Sequence, residues 1–152
     1  MTLTAQKDTT LQDDFVDVKY RELTPVIHQI FQLCESERAV LLCDKDGTTH
    51  HVDLHDVLYI EWIDNKCCVY TKSDVFIIAS SLTQLEESLR KRQFIRISKM
   101  CLANLFKINS VSNSLNMRLT AEMNNGERVV VSRHYRGELL SAIHTLAREV
   151  AK

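Results

Sequence analysis

Short stretches of alternating apolar and polar residues follow one another between Arg38 and Val131, and turn residues separate them. Along residues 57–63 the alternation defines two faces, with Leu58, Ile60 and Trp62 on one and Val57, Tyr59 and Glu61 on the other. Such alternation is typical of half-buried strands, and the dipeptides Asp46-Gly47 and Asn125-Gly126 are hairpin-turn signals. The pattern predicts a mainly β fold.

Two helices are predicted within this β pattern. Ser81 and Gln84 fit a capping box ahead of a short helix that ends at about Arg90. Ser132 is predicted to cap a C-terminal helix, whose apolar residues recur every three or four positions: Tyr135, Leu139, Ile143, Leu146 and Val150. The segment Lys99–Leu105 is predicted to be a turn of helix or a tight bend.

The first part of the chain has a different pattern. Phe15 to Val18 predicts a short strand, and Thr24-Pro25 predicts the start of an amphipathic helix that reaches about Glu35, with its apolar stripe at Ile27, Ile30, Phe31 and Cys34. We therefore divide the chain into an N-terminal strand–helix extension, residues 1–45, and a mainly β domain with flanking helices, residues 46–152. We expect the extension to serve dimerisation or regulation.

Composition and cysteine usage favour a globular protein of the cytoplasm. Hydrophobic residues make up 45% of the 152 residues, and no apolar run approaches the roughly 18 residues needed to cross a bilayer. The polar, acidic N-terminus is unlike a signal peptide. The spacing of the five cysteines is unlike that of a zinc site: Cys34, Cys43, Cys67, Cys68 and Cys101. We expect them to be buried thiols, and redox sensing and metal binding are the alternatives.

The net charge of −1 hides a strong asymmetry along the chain. Residues 1–56 hold 5 Lys or Arg against 11 Asp or Glu, whereas residues 57–152 hold 14 against 9. A basic half suggests contact with a polyanion such as nucleic acid, and the alternative is chance variation between two solvated surfaces.

Catalytic and cofactor signals are weak. Three scattered glycines cannot form a phosphate-binding loop, and no acid/base pair of carboxylates stands out. The best metal candidate is the segment 50–56, in which His51, Asp53 and His55 would share one face of an extended strand. A solvated polar strand is the simpler interpretation. We expect no cofactor and no enzymatic activity.

Basic residues of the C-terminal part fall at the ends of predicted elements. Lys66 lies beside Asn65 at a hairpin turn, and Arg96 and Lys99 bracket the end of the strand that starts at Phe94. Arg133 and His134 follow Ser132 at the predicted helix start, where free N–H groups favour anions. Each alone is an ordinary surface charge, but their shared position on loops suggests one binding surface.

Residues 57 to about 143 resemble a LytTR DNA-binding domain. The most specific parts of the resemblance are the block Phe94-Ile95-Arg96-Ile97-Ser98-Lys99 with Asn104 after it, and the run Ser132-Arg133-x-Tyr135. The opening strand Val57–Glu61, the leucine pattern at 82–89 and Asn125-Gly126 fit in order and spacing. The first 56 residues are too few for a receiver domain, and the chain is similar to small stand-alone LytTR regulators of bacteria.

The resemblance implies an elongated stack of small β-sheets that reads double-stranded DNA with loops. It places DNA contacts at three loops and beside them: Asn65, Lys66, Arg96, Ser98, Lys99, Arg133 and His134. Met100 and Cys101 are expected to belong to the core. The resemblance further implies a homodimer on repeated half-sites, a role in transcription regulation, and a membrane-bound inhibitory partner protein. The main alternative is a protein–protein interaction module whose basic loops are incidental.

Overall fold

The computed structural model describes residues 2, 4–11, 16–36 and 39–150. The chain divides into two compact units, residues 1–37 and residues 38–152. The division precedes the boundary predicted at 45/46, because the strand before that boundary pairs with the strand after it. Each unit is described by itself.

The N-terminal unit contains helix α1, Pro25–Ser36, which confirms the predicted helix. Thr24 begins it: its Oγ1 accepts the N–H of Ile27 (3.4 Å), and its carbonyl oxygen accepts the N–H of His28 (2.9 Å). The predicted short strand is not found at Val16 to Val18, while Phe15 lies outside the described residues.

The second unit is mainly β, as the sequence predicts. The strands of its first sheet are β1 Val40–Lys45, β2 Thr48–Asp53, β3 Val57–Ile63, β4 Lys66–Thr71, β5 Val75–Ile78, β6 Phe94–Ser98 and β7 Cys101–Asn104. They pair antiparallel in the order β2-β1-β5-β4-β3-β7-β6. The second sheet has the order β10-β9-β8, with β8 Ile108–Asn113, β9 Leu119–Met123 and β10 Arg128–Val131.

Two helices complete this unit, α2 Leu82–Leu89 and α3 Arg136–Val150. The predicted capping box is confirmed at α2: Ser81 Oγ accepts the N–H of Gln84 (3.1 Å), and Gln84 Oε1 accepts the N–H of Ser81 (3.2 Å). Short 3-10 helices lie at Leu54–Asp56, Arg90–Arg92, Leu105–Lys107, Leu115–Met117 and Arg133–Tyr135.

The two faces of the large sheet contribute to two hydrophobic cores. The first core includes Val69 and Leu102 together with the buried leucines of α2, and the second joins the sheet to β8–β10 and α3. A β-bulge between Val57 and Tyr59 changes the faces predicted for β3. Val57 therefore joins Ile60 in the first core, and Leu58 joins Tyr59 in the second.

Residues 101–104 form a strand, although a turn or bend was predicted there. All four residues of β7 are buried, because β3 and β6 flank the strand and a hydrophobic core lies on each face. A strand that is buried on both faces shows no alternation in sequence.

Candidate nucleic-acid interface

The first predicted loop is the tight hairpin between β3 and β4. Asp64 and Asn65 both have positive φ (50° and 61°), the backbone that a two-residue hairpin turn requires. Lys66 opens β4 directly opposite Ile63. Asn65 and Lys66 are both exposed, so the hairpin presents one amide and one ammonium group to solvent.

The second predicted loop is the two-residue turn Lys99-Met100 between β6 and β7. Ser98 pairs with Cys101 across it, and Ser98 Oγ accepts the N–H of Met100 (3.2 Å). The carbonyl oxygen of Met100 accepts the N–H of Trp62 in β3 (2.8 Å). These bonds fix the turn backbone and leave the Lys99 side chain exposed.

Arg96 holds the same turn from within the protein. Its Nε donates to the carbonyl oxygen of Ser98 (3.2 Å), its Nη2 to that of Lys99 (2.9 Å), and its Nη1 pairs with Glu86 (3.0 Å). Only 16% of the Arg96 side chain is exposed. The guanidinium group is thus bonded to the protein's own acceptors, whereas the resemblance implies that Arg96 contacts DNA.

The third predicted loop joins β10 to α3. Ser132 donates both its N–H (2.9 Å) and its Oγ (3.4 Å) to the carbonyl oxygen of Ile97, at the end of β6. The Ser132 side chain does not cap the helix, so the prediction that it would is wrong. Arg133 and His134, both exposed, lie in a 3-10 turn, and α3 begins only at Arg136.

The three loops lie at one end of this unit. Glu61 pairs with Cys101, which sets the end of β3 beside the turn between β6 and β7. The bond from Ser132 to Ile97 sets the third loop beside the end of β6. Strand pairing and these bonds thus bring together all seven predicted residues: Asn65, Lys66, Arg96, Ser98, Lys99, Arg133 and His134.

A fourth loop, Ser114–Arg118, reaches the same end and was missed in the sequence. Leu119 pairs with Val131, so the loop before β9 lies next to the loop after β10. Arg136 Nη1 donates to the carbonyl oxygen of Met117 (3.3 Å), and Arg118 is exposed. The loop lies between β8, which ends at Asn113, and β9, which begins at Leu119.

Met100 also differs from its prediction. It was expected in the core with Cys101, yet 51% of Met100 is exposed, whereas Cys101 is buried. Cys101 follows the turn and points into the second core, while Met100 occupies the turn itself. An apolar side chain therefore stands at the end of the domain that carries the cations.

Acidic groups are fewer than basic groups at this end. The acidic groups there include Asp64 at the hairpin, Glu86 in its ion pair with Arg96, and Glu138 in the first turn of α3. Glu61 also lies there, and burial raises the pKa of its carboxyl above its usual value. Against them stand the side chains of Lys66, Lys99, Arg118, Arg133 and Arg136. This excess of cations suits a polyanion.

The predicted metal candidate has a different local structure. Asp53 accepts the N–H of His55 (2.9 Å) and thereby caps the following 3-10 helix, and the His50 ring packs on Phe76 with centroids 5.4 Å apart. Within residues 2, 4–11, 16–36 and 39–150, no three His, Cys, Asp or Glu side chains are grouped to hold a metal ion. No helix in the described ranges has the length and apolarity to cross a membrane.

Comparisons with known proteins concern the family and the fold of the β domain. The family model described as "LytTr DNA-binding domain" matches residues 47–144. Two proteins named "Sensory transduction protein LytT", from Bacillus anthracis and Bacillus cereus, are each 30% identical over 88 residues. The match covers 58% of this chain and only 36% of each relative. A solved LytTr DNA-binding domain from Bacillus cereus superposes with a TM-score of 0.66 at 26% identity, covering 69% of this chain and 96% of that one.

Proposed function

Since this chain belongs to the LytTr DNA-binding domain family, we propose that it is a bacterial transcription regulator that reads double-stranded DNA through the four loops at one end of its β domain. The observation that carries the proposal is the convergence of these loops. Residues distant in sequence meet there through strand pairing and through the bonds of Met100 and Ser132. A side chain on a rigid backbone loses little conformational entropy on binding, which favours specific recognition.

The residues divide into base readers and phosphate contacts. We assign Lys99 and Arg133 to base edges, since Lys and Arg donate to the O6 and N7 of guanine in the major groove. Asn65 has the chemistry to read adenine, and Ser98 and His134 lie beside the two readers. Arg118 and Arg136 flank the Arg133 loop, where phosphates would set the orientation of the protein on the duplex.

Arg96 acts within the protein in this proposal. Its guanidinium group joins the carbonyl oxygens of Ser98 and Lys99 to the Glu86 carboxylate, so it orients the Lys99 turn without touching DNA. We therefore reassign Arg96 from a DNA contact to a positioning residue.

The remaining parts of the proposal concern assembly. One domain has a small footprint on DNA, so we propose a homodimer that binds two repeated half-sites. The acidic N-terminal unit would dimerise or regulate the protein, because its charge opposes contact with phosphate. We further propose that it acts in the cytoplasm and is restrained by a membrane-bound inhibitory partner. The chain spans about a third of the LytT relatives, so their whole function is not carried over.

Selection of tight binders from a random DNA duplex library, followed by mobility shifts, tests the proposal. We expect a repeated motif that the protein binds far more tightly than scrambled DNA. The double variant Lys99→Ala/Arg133→Ala should lose this preference. The matched control, Lys72→Ala/Arg128→Ala, removes two charges at the opposite ends of β4 and β10 and should retain it. Failure to enrich any motif would favour the protein-interaction module instead.

A further inference from the structure

Met100 is an apolar side chain placed among cations. It is 51% exposed and occupies the turn next to Lys99, at the end where Lys66 and Arg133 also lie. The residues that follow it, from Cys101 to Asn104, are all buried. The fold thus leaves about half of Met100 exposed to solvent, and this part of the side chain is available for contact with a ligand.

The backbone of Met100 is held as firmly as that of a reading residue. Its N–H donates to Ser98 Oγ (3.2 Å), its carbonyl oxygen accepts from Trp62 (2.8 Å), and the preceding carbonyl accepts from Arg96 (2.9 Å). These bonds therefore hold the backbone of the Lys99-Met100 turn in one position on the domain. Only the flexible thioether chain remains free to adapt to a surface.

We infer that Met100 is a specificity-determining residue that contacts the C5-methyl group of a thymine in the major groove, an inference that rests on the proposed DNA binding. The thymine methyl is the apolar group that base edges present there, and apolar side chains recognise it. Lys99 carries a donor for guanine in the adjacent position. The turn therefore selects a step that combines guanine with thymine, in preference to either base alone.

A protein partner is the alternative occupant of this side chain. Lys66, Lys99 and Arg133 lie at the same end of the domain as Met100, and a protein surface that covered this end would have to desolvate them. A DNA groove pairs the same cations with phosphates and base acceptors and offers the methyl group as well. The surroundings of Met100 therefore favour DNA.

The test replaces each thymine of the selected duplex, one at a time, by deoxyuridine, which removes only the methyl group. Binding is measured for the wild-type protein and for Met100→Ala, Met100→Leu and Met100→Gln. The control Phe106→Ala removes a 61%-exposed side chain that lies just beyond the opposite end of β7. Urea denaturation establishes that each variant is folded, and Met100→Gln keeps the side-chain length if Met100→Ala unfolds.

For the wild-type protein we expect one thymine per half-site whose replacement weakens binding about fourfold, the equivalent of one buried methyl group. Met100→Ala and Met100→Gln should lose sensitivity at that position alone, while Met100→Leu and Phe106→Ala should keep it. A replacement profile in Met100→Ala and Met100→Gln identical to the wild type overturns the inference. If that unchanged profile is accompanied by loss of regulation in a purified transcription reaction, Met100 is assigned to a protein partner. Absence of any selected duplex would instead refute the proposed function itself.

Discussion

The backbone N–H of Ser132 donates to the carbonyl oxygen of Ile97 over 2.9 Å. Lys99 lies two residues after the acceptor, and Arg133 lies one residue after the donor. The two proposed base readers are therefore joined through a short length of hydrogen-bonded backbone, with no mobile linker between them. A change that displaces the end of β6 should displace both side chains together.

Arg133 provides the most direct prediction about DNA reading. If its guanidinium group reads a base, Arg133→Ala should cost about 1–3 kcal/mol and relax preference at one position per half-site. Lys99→Ala should weaken binding comparably. Lys66→Ala should weaken it less, because Arg96 braces the Lys99 turn, whereas Lys66 lies beside the exposed turn of its own hairpin. Mobility shifts on duplexes substituted at each position measure both effects. A uniform loss across sequences, with the salt slope reduced by about one, would instead assign Arg133 to a phosphate.

Substitutions of Arg96 test whether this residue orients the Lys99 turn or contributes its own charge to DNA binding. Arg96→Ala and Arg96→Lys should weaken DNA binding to a similar extent, because a lysine cannot reach the acceptors on Ser98, Lys99 and Glu86 together. The slope of log affinity against log salt should stay unchanged in both variants, since no phosphate contact is lost. Rescue by lysine, or a slope that falls by about one in Arg96→Ala, would show that Arg96 contacts DNA.

Local signals in the sequence were sufficient for most elements of the fold. The helix after Thr24, the capping box at Ser81 and the hairpin at Asn125-Gly126 each depend on residues that are near in sequence, and all three are present. The resemblance then indicated the loops at Lys66, Lys99 and Arg133. Their convergence required the pairing of distant strands, which periodicity alone cannot supply.

The errors arose where tertiary contacts override local pattern. The Ser132 side chain bonds to Ile97 in a distant strand and therefore does not cap α3. Met100 is apolar and was expected in the core, but the β6–β7 turn exposes it. For Ser132 the deciding partner, Ile97, is remote in sequence.

The position of the domain boundary predicts the behaviour of two truncated proteins. Residues 38–152 should fold and retain DNA affinity, because they include all strands of both sheets. Residues 46–152 should be markedly less stable, because they lack β1, which pairs with β2 and β5 and buries Cys43 in the first core. Urea denaturation and mobility shifts compare the two. Equal stability of both proteins would contradict the structural role of β1, and loss of DNA binding by folded 38–152 would contradict the proposed division of labour.

The buried thiol of Cys101 predicts how stability depends on alkaline pH. Burial, with a smaller contribution from Glu61, raises its pKa from 9.0 to about 12. Between these values the unfolded chain releases the thiol proton while the folded chain keeps it. Ionisation of the Cys101 thiol in the unfolded chain then favours unfolding. The contribution of the protonated thiol to the stability of the fold is therefore complete below pH 9 and is lost as the pH rises toward 12. The free energy of unfolding should fall by about 1 kcal/mol more between pH 8 and pH 10 than it would without this thiol.

The variant Cys101→Ala isolates that contribution. It loses packing at every pH, but its additional loss between pH 8 and pH 10 should be smaller than that of the wild type by about 1 kcal/mol. The control Cys34→Ala removes an exposed thiol and leaves the core of the β domain unchanged. The remaining titratable groups are common to all three proteins and cancel in the comparison of urea denaturation at the two pH values. An equal fall for wild type and Cys101→Ala would show that the thiol ionises alike in the folded and unfolded chains. Cys101 would then form a thiolate as readily in the folded chain as in the unfolded chain, which would support redox sensing as an alternative role for this residue.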